Sequence, residues 1–247
     1  MMFSRSAAAI VLSLLLLTAC AKSGKTGTSG ASSSSATGSG SVKAESKESI
    51  MIRANKGEKD AQFDLGALYH DGEGVPKDLT LAKQWFEKAA KQGEAHAQFN
   101  LGVMYYVGEG VKQEYAKAIK LFTQAANQNN VRAEFNLGVM YYRGEGTKQD
   151  MTKARDLFTK AALQNFGEAQ FNLGVMEAKG EGAEADIGKA YSWFAASRDS
   201  GNPRAEDVIK NIEKELTPDQ LKIAKKMAED LRVKISDATK AGATSQP

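Results

Sequence analysis

"NLGVMYYVGEG", residues 100–110, returns almost unchanged as "NLGVMYYRGEG" at 136–146. Taken alone, the stretch has three readings: a glycine loop that holds a phosphate, the tip of a β-hairpin, or a joint in a structure built by repetition. A hairpin has in its favour the β-prone residues on both sides of the glycine pair. Its strand would begin inside a helical pattern, however, and would strand Leu101 and Val103 without partners. The phosphate loop fails on chemistry. "GEGVKQ" lacks the third glycine of a dinucleotide turn, follows no strand, and places Glu109 where an anion would be repelled.

Repetition decides the matter. Ala61, Ala97, Ala133, Ala169 and Ala205 recur every 36 residues. On the same beat run Phe63, Phe99, Phe135 and Phe171, and the pairs Leu65-Gly66, Leu101-Gly102, Leu137-Gly138 and Leu173-Gly174. "GEG" begins at 72, 108, 144 and 180, and an alanine at 82, 118, 154 or 190 is followed four residues on by Phe86, Phe122, Phe158 or Phe194. Within one unit, 97–106 and 115–127 each carry apolar residues at spacings of three and four, which predicts two amphipathic helices. Gly102 and Ala97 clear bulk from the packing side of the first helix, and Gly108 and Gly110 end it. The second helix closes at Gly93, Asn129, Asn165 or Gly201, the two residue types that most readily take the left-handed turn.

The pattern A-x-F-x-L-G-x-x-Y-x-x-G-x-G, then K-A-x-x-x-F-x-x-A-A, closely resembles the Sel1-like repeat, a relative of the tetratricopeptide repeat, over residues 61 to about 204. The resemblance implies an all-α fold: a right-handed superhelical solenoid of antiparallel helix pairs with a concave inner face. It also implies a scaffold that holds other proteins. On the alanine register the units are 61–96, 97–132, 133–168 and 169–204. The fourth departs from the pattern, with Glu177 in place of Tyr69, Tyr105 and Tyr141, and Ser197-Arg198 in place of paired alanines, so looser or specialised packing is expected there. The cysteine pairs of some bacterial relatives are missing.

Solenoid ends need caps. Residues 46–60 align through Ala54 and Gly57 with the second half of a unit, and 205–235 are expected to form two capping helices. Thr217 and Gln220 make a capping box around Pro218, and Leu221, Ala224, Ala228 and Leu231 give the last helix an apolar stripe. A disordered tail is expected over 236–247.

The first nineteen residues have Arg5, an apolar run from Ala7 to Leu17 and small residues, the layout of a secretory signal. Leu17, Thr18, Ala19 and Cys20 resemble the bacterial lipobox, which implies a diacylglyceryl group on Cys20 and membrane attachment by lipid. Ala21 after the cysteine resembles an outer-membrane sorting signal, with the protein facing the periplasm. The Gly, Ser and Thr tract that follows, within 20–45, reads as a disordered tether. Its "GKT" at 24–26 is no Walker loop, because Ala19 stands where the first glycine belongs.

Lys and Arg total 33 against 30 Asp and Glu, too even a balance for a nucleic-acid partner. Cys20 is the sole cysteine, which excludes an internal disulfide or a thiolate metal site. His70 and His96 sit at no metal-ligand spacing, and Asp71 and Glu73 lack the further oxygens of a calcium loop. No catalytic residue, cofactor or metal is expected. The reading is of a protein that binds proteins. A module for peptidoglycan or other carbohydrate is the alternative, and a β-lactamase-like hydrolase, for which the repeats offer no Ser-x-x-Lys, is a third.

At 100° per residue, one stripe of each first helix faces away from the Leu row. It carries Asp60, Asp64, Ala67 and Asp71, then His96, Asn100, Val103 and Val107. The third unit supplies Arg132, Asn136, Val139 and Arg143, and the fourth Glu168, Asn172, Val175 and Lys179. By the resemblance this stripe lines the concave groove. The asparagine row suits the backbone of an extended peptide, and it suits equally a brace between helices. The sign changes along the stripe, from acidic in the first unit to basic at Arg132 and Arg143, which favours a ligand of mixed charge.

Overall fold

The computed structural model describes residues 46–244. The signal segment, Cys20 and the tether therefore lie outside the described residues. Those residues form eleven helices and no strand. A short α1 (Lys47–Asn55) precedes four helix pairs: α2 (Lys59–Asp71) with α3 (Leu79–Lys91), α4 (Ala95–Val107) with α5 (Tyr115–Ala126), α6 (Val131–Arg143) with α7 (Met151–Leu163), and α8 (Gly167–Lys179) with α9 (Ile187–Asp199). Two helices close the chain, α10 (Arg204–Glu215) and α11 (Pro218–Thr244). Through α10 each helix packs on its neighbours in sequence, the contact pattern of a solenoid, and α11 lies back on α9. The all-α solenoid expected from the repeats is the fold. Among the described residues, no helix is long and apolar enough to cross a membrane.

The first helices begin at Lys59, Ala95, Val131 and Gly167, two residues ahead of the alanine row. Local chemistry sets their ends. Glu94 and Asn130 cap α4 and α6 by accepting from the backbone N–H of Ala97 and Ala133, and Asp78, Asp150 and Asp186 cap α3, α7 and α9 in the same way. Gly72, Gly108, Gly144 and Gly180 close the first helices at φ between 71° and 83°. After the second helices, Asn129 and Asn165 take φ 61° and 62°, and Gly93 and Gly201 take 81° and 85°. The Gly/Asn alternation is thus a left-handed turn in every unit.

Inside each pair the backbones approach through a missing side chain. A Cβ on Gly66, Gly102, Gly138 or Gly174 would lie 2.7 to 2.8 Å from the ring of Phe86, Phe122, Phe158 or Phe194. All four rings are essentially buried. The second glycine of each inner GEG makes the other close approach: a Cβ on Gly110 would strike Leu79, and one on Gly146 would strike Tyr115, each at the start of the preceding second helix. The glycine pair therefore ends one helix and seats the turn against the unit before it.

The C-terminal end differs from expectation in one respect. No disordered tail begins at Ser236, because α11 runs on through Thr244. The capping box forms as read, with Thr217 N–H donating to Gln220 Oε1 at 3.0 Å and Gln220 N–H donating to Thr217 Oγ1 at 3.3 Å. Beyond it α11 lies along α9 and reaches α7, where Thr239 Oγ1 stands 3.5 Å from the Leu163 carbonyl. Ile235 is the buried anchor that carries the helix past the expected end, one apolar residue among polar neighbours.

Substituting Gly138→Ala forces a methyl into the Phe158 ring, whose surroundings are closed. A loss of about 1–3 kcal/mol is expected, read by chemical denaturation. An unchanged midpoint would show that α6 and α7 can separate without cost.

Candidate partner-binding face

Polar side chains on the core side of the first helices hold consecutive units together. Gln62 Nε2 donates to the Ala54 carbonyl at 3.2 Å, Gln98 Nε2 to Ala90 at 3.3 Å and Gln170 Nε2 to Ala162 at 3.1 Å. Each is in turn an acceptor 30 residues on, from Gln92 (2.8 Å), Gln128 (2.8 Å) and Ser200 (2.8 Å). In the third unit Glu134 takes the place of glutamine and accepts from Gln164 Nε2 at 2.7 Å. The sequence carries a periodic signal for this ladder, though not for its bracing role. Gln62, Gln98 and Gln170 fall on the 36-residue beat immediately after the alanine row, on the buried side, where an apolar residue belongs.

A second set of bonds joins units through the GEG turns. Tyr106 Oη donates to Glu145 Oε2 at 2.8 Å, and Tyr142 Oη to Glu181 Oε2 at 2.9 Å. Burial and then the neighbouring carboxylate push each phenol up to about 12, so both remain donors across the physiological range. In the first unit His70 occupies the tyrosine position, with Nε2 3.4 Å from Glu109 and Nδ1 2.6 Å from Asp71. The GEG glutamates that argue against a phosphate loop are therefore acceptors between repeats.

The asparagine row takes no part in either network. Among the described residues, the side-chain amides of Asn100, Asn136 and Asn172 have no hydrogen-bond partner, although all three are half-buried. The bracing bonds belong to Gln62, Gln98, Glu134 and Gln170, two residues earlier in each helix. The stripe keeps one exposure pattern through the units: its first position is exposed at Asp60, His96, Arg132 and Glu168, and its middle is half-buried at Asp64, Asn100, Asn136 and Asn172 and at Ala67, Val103, Val139 and Val175. Val107 is 56% exposed, unusual for a valine within an ordered repeat. Several residues of the stripe are engaged with neighbours: Asp71 with His70, His96 at 5.7 Å from the Phe63 ring, and Arg143 at 3.6 Å from Glu145 and 3.5 Å from the Tyr106 hydroxyl. Lys179 pairs with Glu181 at 3.6 Å, whereas Arg132 has no ion-pair partner among the described residues. The face is thus a half-buried apolar and amide strip with charges along its rim, unlike a catalytic cluster.

The Sel1 repeat model matches residues 59–94, 95–130, 131–166 and 167–202, in register with the helix starts. The chain belongs to the Sel1 repeat family. Sel1-repeat proteins serve in general as protein–protein interaction scaffolds. Of solved structures, the protective antigen c5321 of uropathogenic Escherichia coli is 34% identical with a TM-score of 0.71 over 81% of this chain, and the match spans only 43% of that protein. A Sel1 repeat protein of Oxalobacter formigenes is 31% identical with a TM-score of 0.62, over 72% of this chain and 74% of the other. No curated protein matches the chain.

Against the Sel1 pattern, the fourth repeat's Glu177 has a specific partner. Arg155 of α7 reaches across the junction to Glu177 Oε1 at 2.5 Å and donates to the Glu181 carbonyl at 2.9 Å. Packing at this junction is specialised and not loose. Glu177 is buried and Arg155 half-buried, and among the described residues Arg155 Nε and Glu177 Oε2 lack a hydrogen-bond partner. One junction earlier the same positions hold Ile119 and Tyr141, both packed in an apolar cluster. One junction later they hold Tyr191 and Glu213, which are hydrogen-bonded at 2.9 Å.

Removing one partner leaves a buried charge unpaired, so Arg155→Ile alone is expected to destabilise by roughly 3–5 kcal/mol. Arg155→Ile with Glu177→Tyr reproduces the preceding junction and is expected to restore the wild-type denaturation midpoint or exceed it. A double variant as unstable as the single one would contradict the pairing.

Proposed function

We propose that this Sel1-repeat protein is a lipid-anchored scaffold of the bacterial periplasm that holds an extended segment of a partner protein along the exposed face of its first helices. The observation that carries the reading is the row of unbonded amides, Asn100, Asn136 and Asn172, repeated where the ladder has already met the bracing need. Each amide offers one acceptor and two donors, enough to bond the peptide groups of a ligand whatever its side chains. Valines beside the amides supply apolar contact. The rim supplies selection: Asp60, Asp64 and Asp71 favour a basic portion of the ligand over the first repeat, and Arg132 favours an acidic portion over the third.

The lipobox at Leu17–Cys20 supports attachment to the outer membrane through Cys20, with the tether letting the repeats stand clear of the lipid. Envelope assembly or stress response is the setting this location suggests. The carbohydrate alternative has less support. Sugar stacking requires free aromatic faces, and Lys117 Nζ lies 4.8 Å above Tyr105 while Lys153 Nζ lies 5.1 Å above Tyr141.

A photo-crosslinking residue placed at Asn136 in cells is expected to give discrete protein adducts, and one placed at the exposed Lys222 on α11 is not. Arg132→Glu with Arg143→Glu is expected to reduce those adducts roughly tenfold, the equivalent of about 1.4 kcal/mol. Adducts that are insensitive to the charge reversal, or equal at both positions, would end the proposal.

A further inference from the structure

The glutamine ladder contains its own internal control. At three junctions a side-chain amide gives a hydrogen to the carbonyl eight residues earlier, at Ala54, Ala90 and Ala162. Those carbonyls also accept from a turn N–H, that of Gly57, Gly93 or Asn165, so each has two donors. At the remaining junction the corresponding carbonyl, Ala126, accepts from Asn129 N–H at 3.0 Å and, among the described residues, receives no side-chain donor. The residue on that rung is Glu134, which is 3% exposed. One of its oxygens is taken by Gln164 Nε2 at 2.7 Å. Glutamate has the shape of glutamine, and among the described residues its second oxygen has no hydrogen-bond partner. As a carboxylate it has no hydrogen to give.

We propose that Glu134 is a proton switch in the brace between the second and third repeats. Protonated, it donates to the Ala126 carbonyl and completes the rung as glutamine does elsewhere; ionised, it leaves the rung open and sets two acceptors against each other. The charged group acting on it is Lys160 of α7, the neighbouring helix that also carries Gln164; α5 and its exit turn contribute none. Lys160 and the Gln164 bond favour the ionised form, but burial outweighs them and lifts the carboxyl from its ordinary 4.5 to about 7. The sign of the effect follows. Between those two values the folded chain holds a proton that the unfolded chain has released, so the junction is firmest below the lower value and weakens as pH rises through the upper one. The switch needs no ligand on the exposed face. It lies, however, at the joint between the acidic and the basic parts of that face.

Hydrogen exchange on the full chain tests this, read as protection factors for the amides of α5 and α6, corrected for intrinsic rate. Between pH 5.5 and 7.5 the wild type is expected to lose about tenfold in protection at this junction, the equivalent of one pKa unit. E134Q is expected to keep its protection across that range, since glutamine completes the rung at every pH and is already accommodated in the other three units. Q98E is expected to import a similar pH-dependent loss at the junction between the first and second repeats. If wild type and E134Q lose protection in parallel, or Q98E adds no pH dependence, the switch is refuted.

Discussion

The contact on which the rest of the molecule depends is the seating of a phenylalanine ring against a bare α-carbon, four times over. Phe86, Phe122, Phe158 and Phe194 lie where a side chain on Gly66, Gly102, Gly138 or Gly174 would have to be. That approach fixes the distance between the two helices of a unit, and the left-handed glycines and asparagines fix the turns on either side. With both set, every position in one repeat stands in the same relation to the next. A side chain that bridges units in one place can then bridge them in others, as the glutamine rungs do at three junctions and the tyrosine–glutamate bonds of the GEG turns at two.

Identical geometry leaves the chemistry of each junction free to vary. Along one row the contact passes from the apolar Ile119 and Tyr141, to the ion pair Arg155–Glu177, to the Tyr191–Glu213 hydrogen bond. Along another a single glutamate replaces glutamine. Neither change disturbs the backbone, because the aromatic and glycine contacts carry the spacing. Both alter how firmly neighbouring repeats adhere. In a solenoid, whose stability is close to a sum of unit and interface terms, such local adjustments act locally.

Periodicity made most of the fold legible from sequence. Rows of Ala, Leu-Gly and Phe at 36 residues gave the helix pairs, the turn residues and the end caps, because each row serves a packing need that every unit shares. Features used once escaped. Ile235 anchors the last helix alone, so the apolar stripe appeared to stop short of it. Arg155 matters through Glu177, a residue 22 positions away that only the fold brings near. The exposed stripe was also legible, since helical angle alone places its members. Which of two polar rows braces the stack was not, because Gln98 and Asn100 recur with the same period and only burial separates them: Gln98 is 5% exposed and hydrogen-bonded, whereas Asn100 is half-buried and unbonded.

That separation between a row that holds the solenoid together and a row without hydrogen-bond partners among the described residues is the centre of the account, and paired denaturation of Gln98→Ala and Asn100→Ala tests it most directly. Gln98→Ala deprives the Ala90 carbonyl and the Gln128 amide of a partner and should lower stability by about 1–3 kcal/mol. Asn100→Ala should stay within about 0.5 kcal/mol of wild type. An Asn100→Ala loss equal to that of Gln98→Ala would show the asparagines to be part of the brace and would contradict the division of roles.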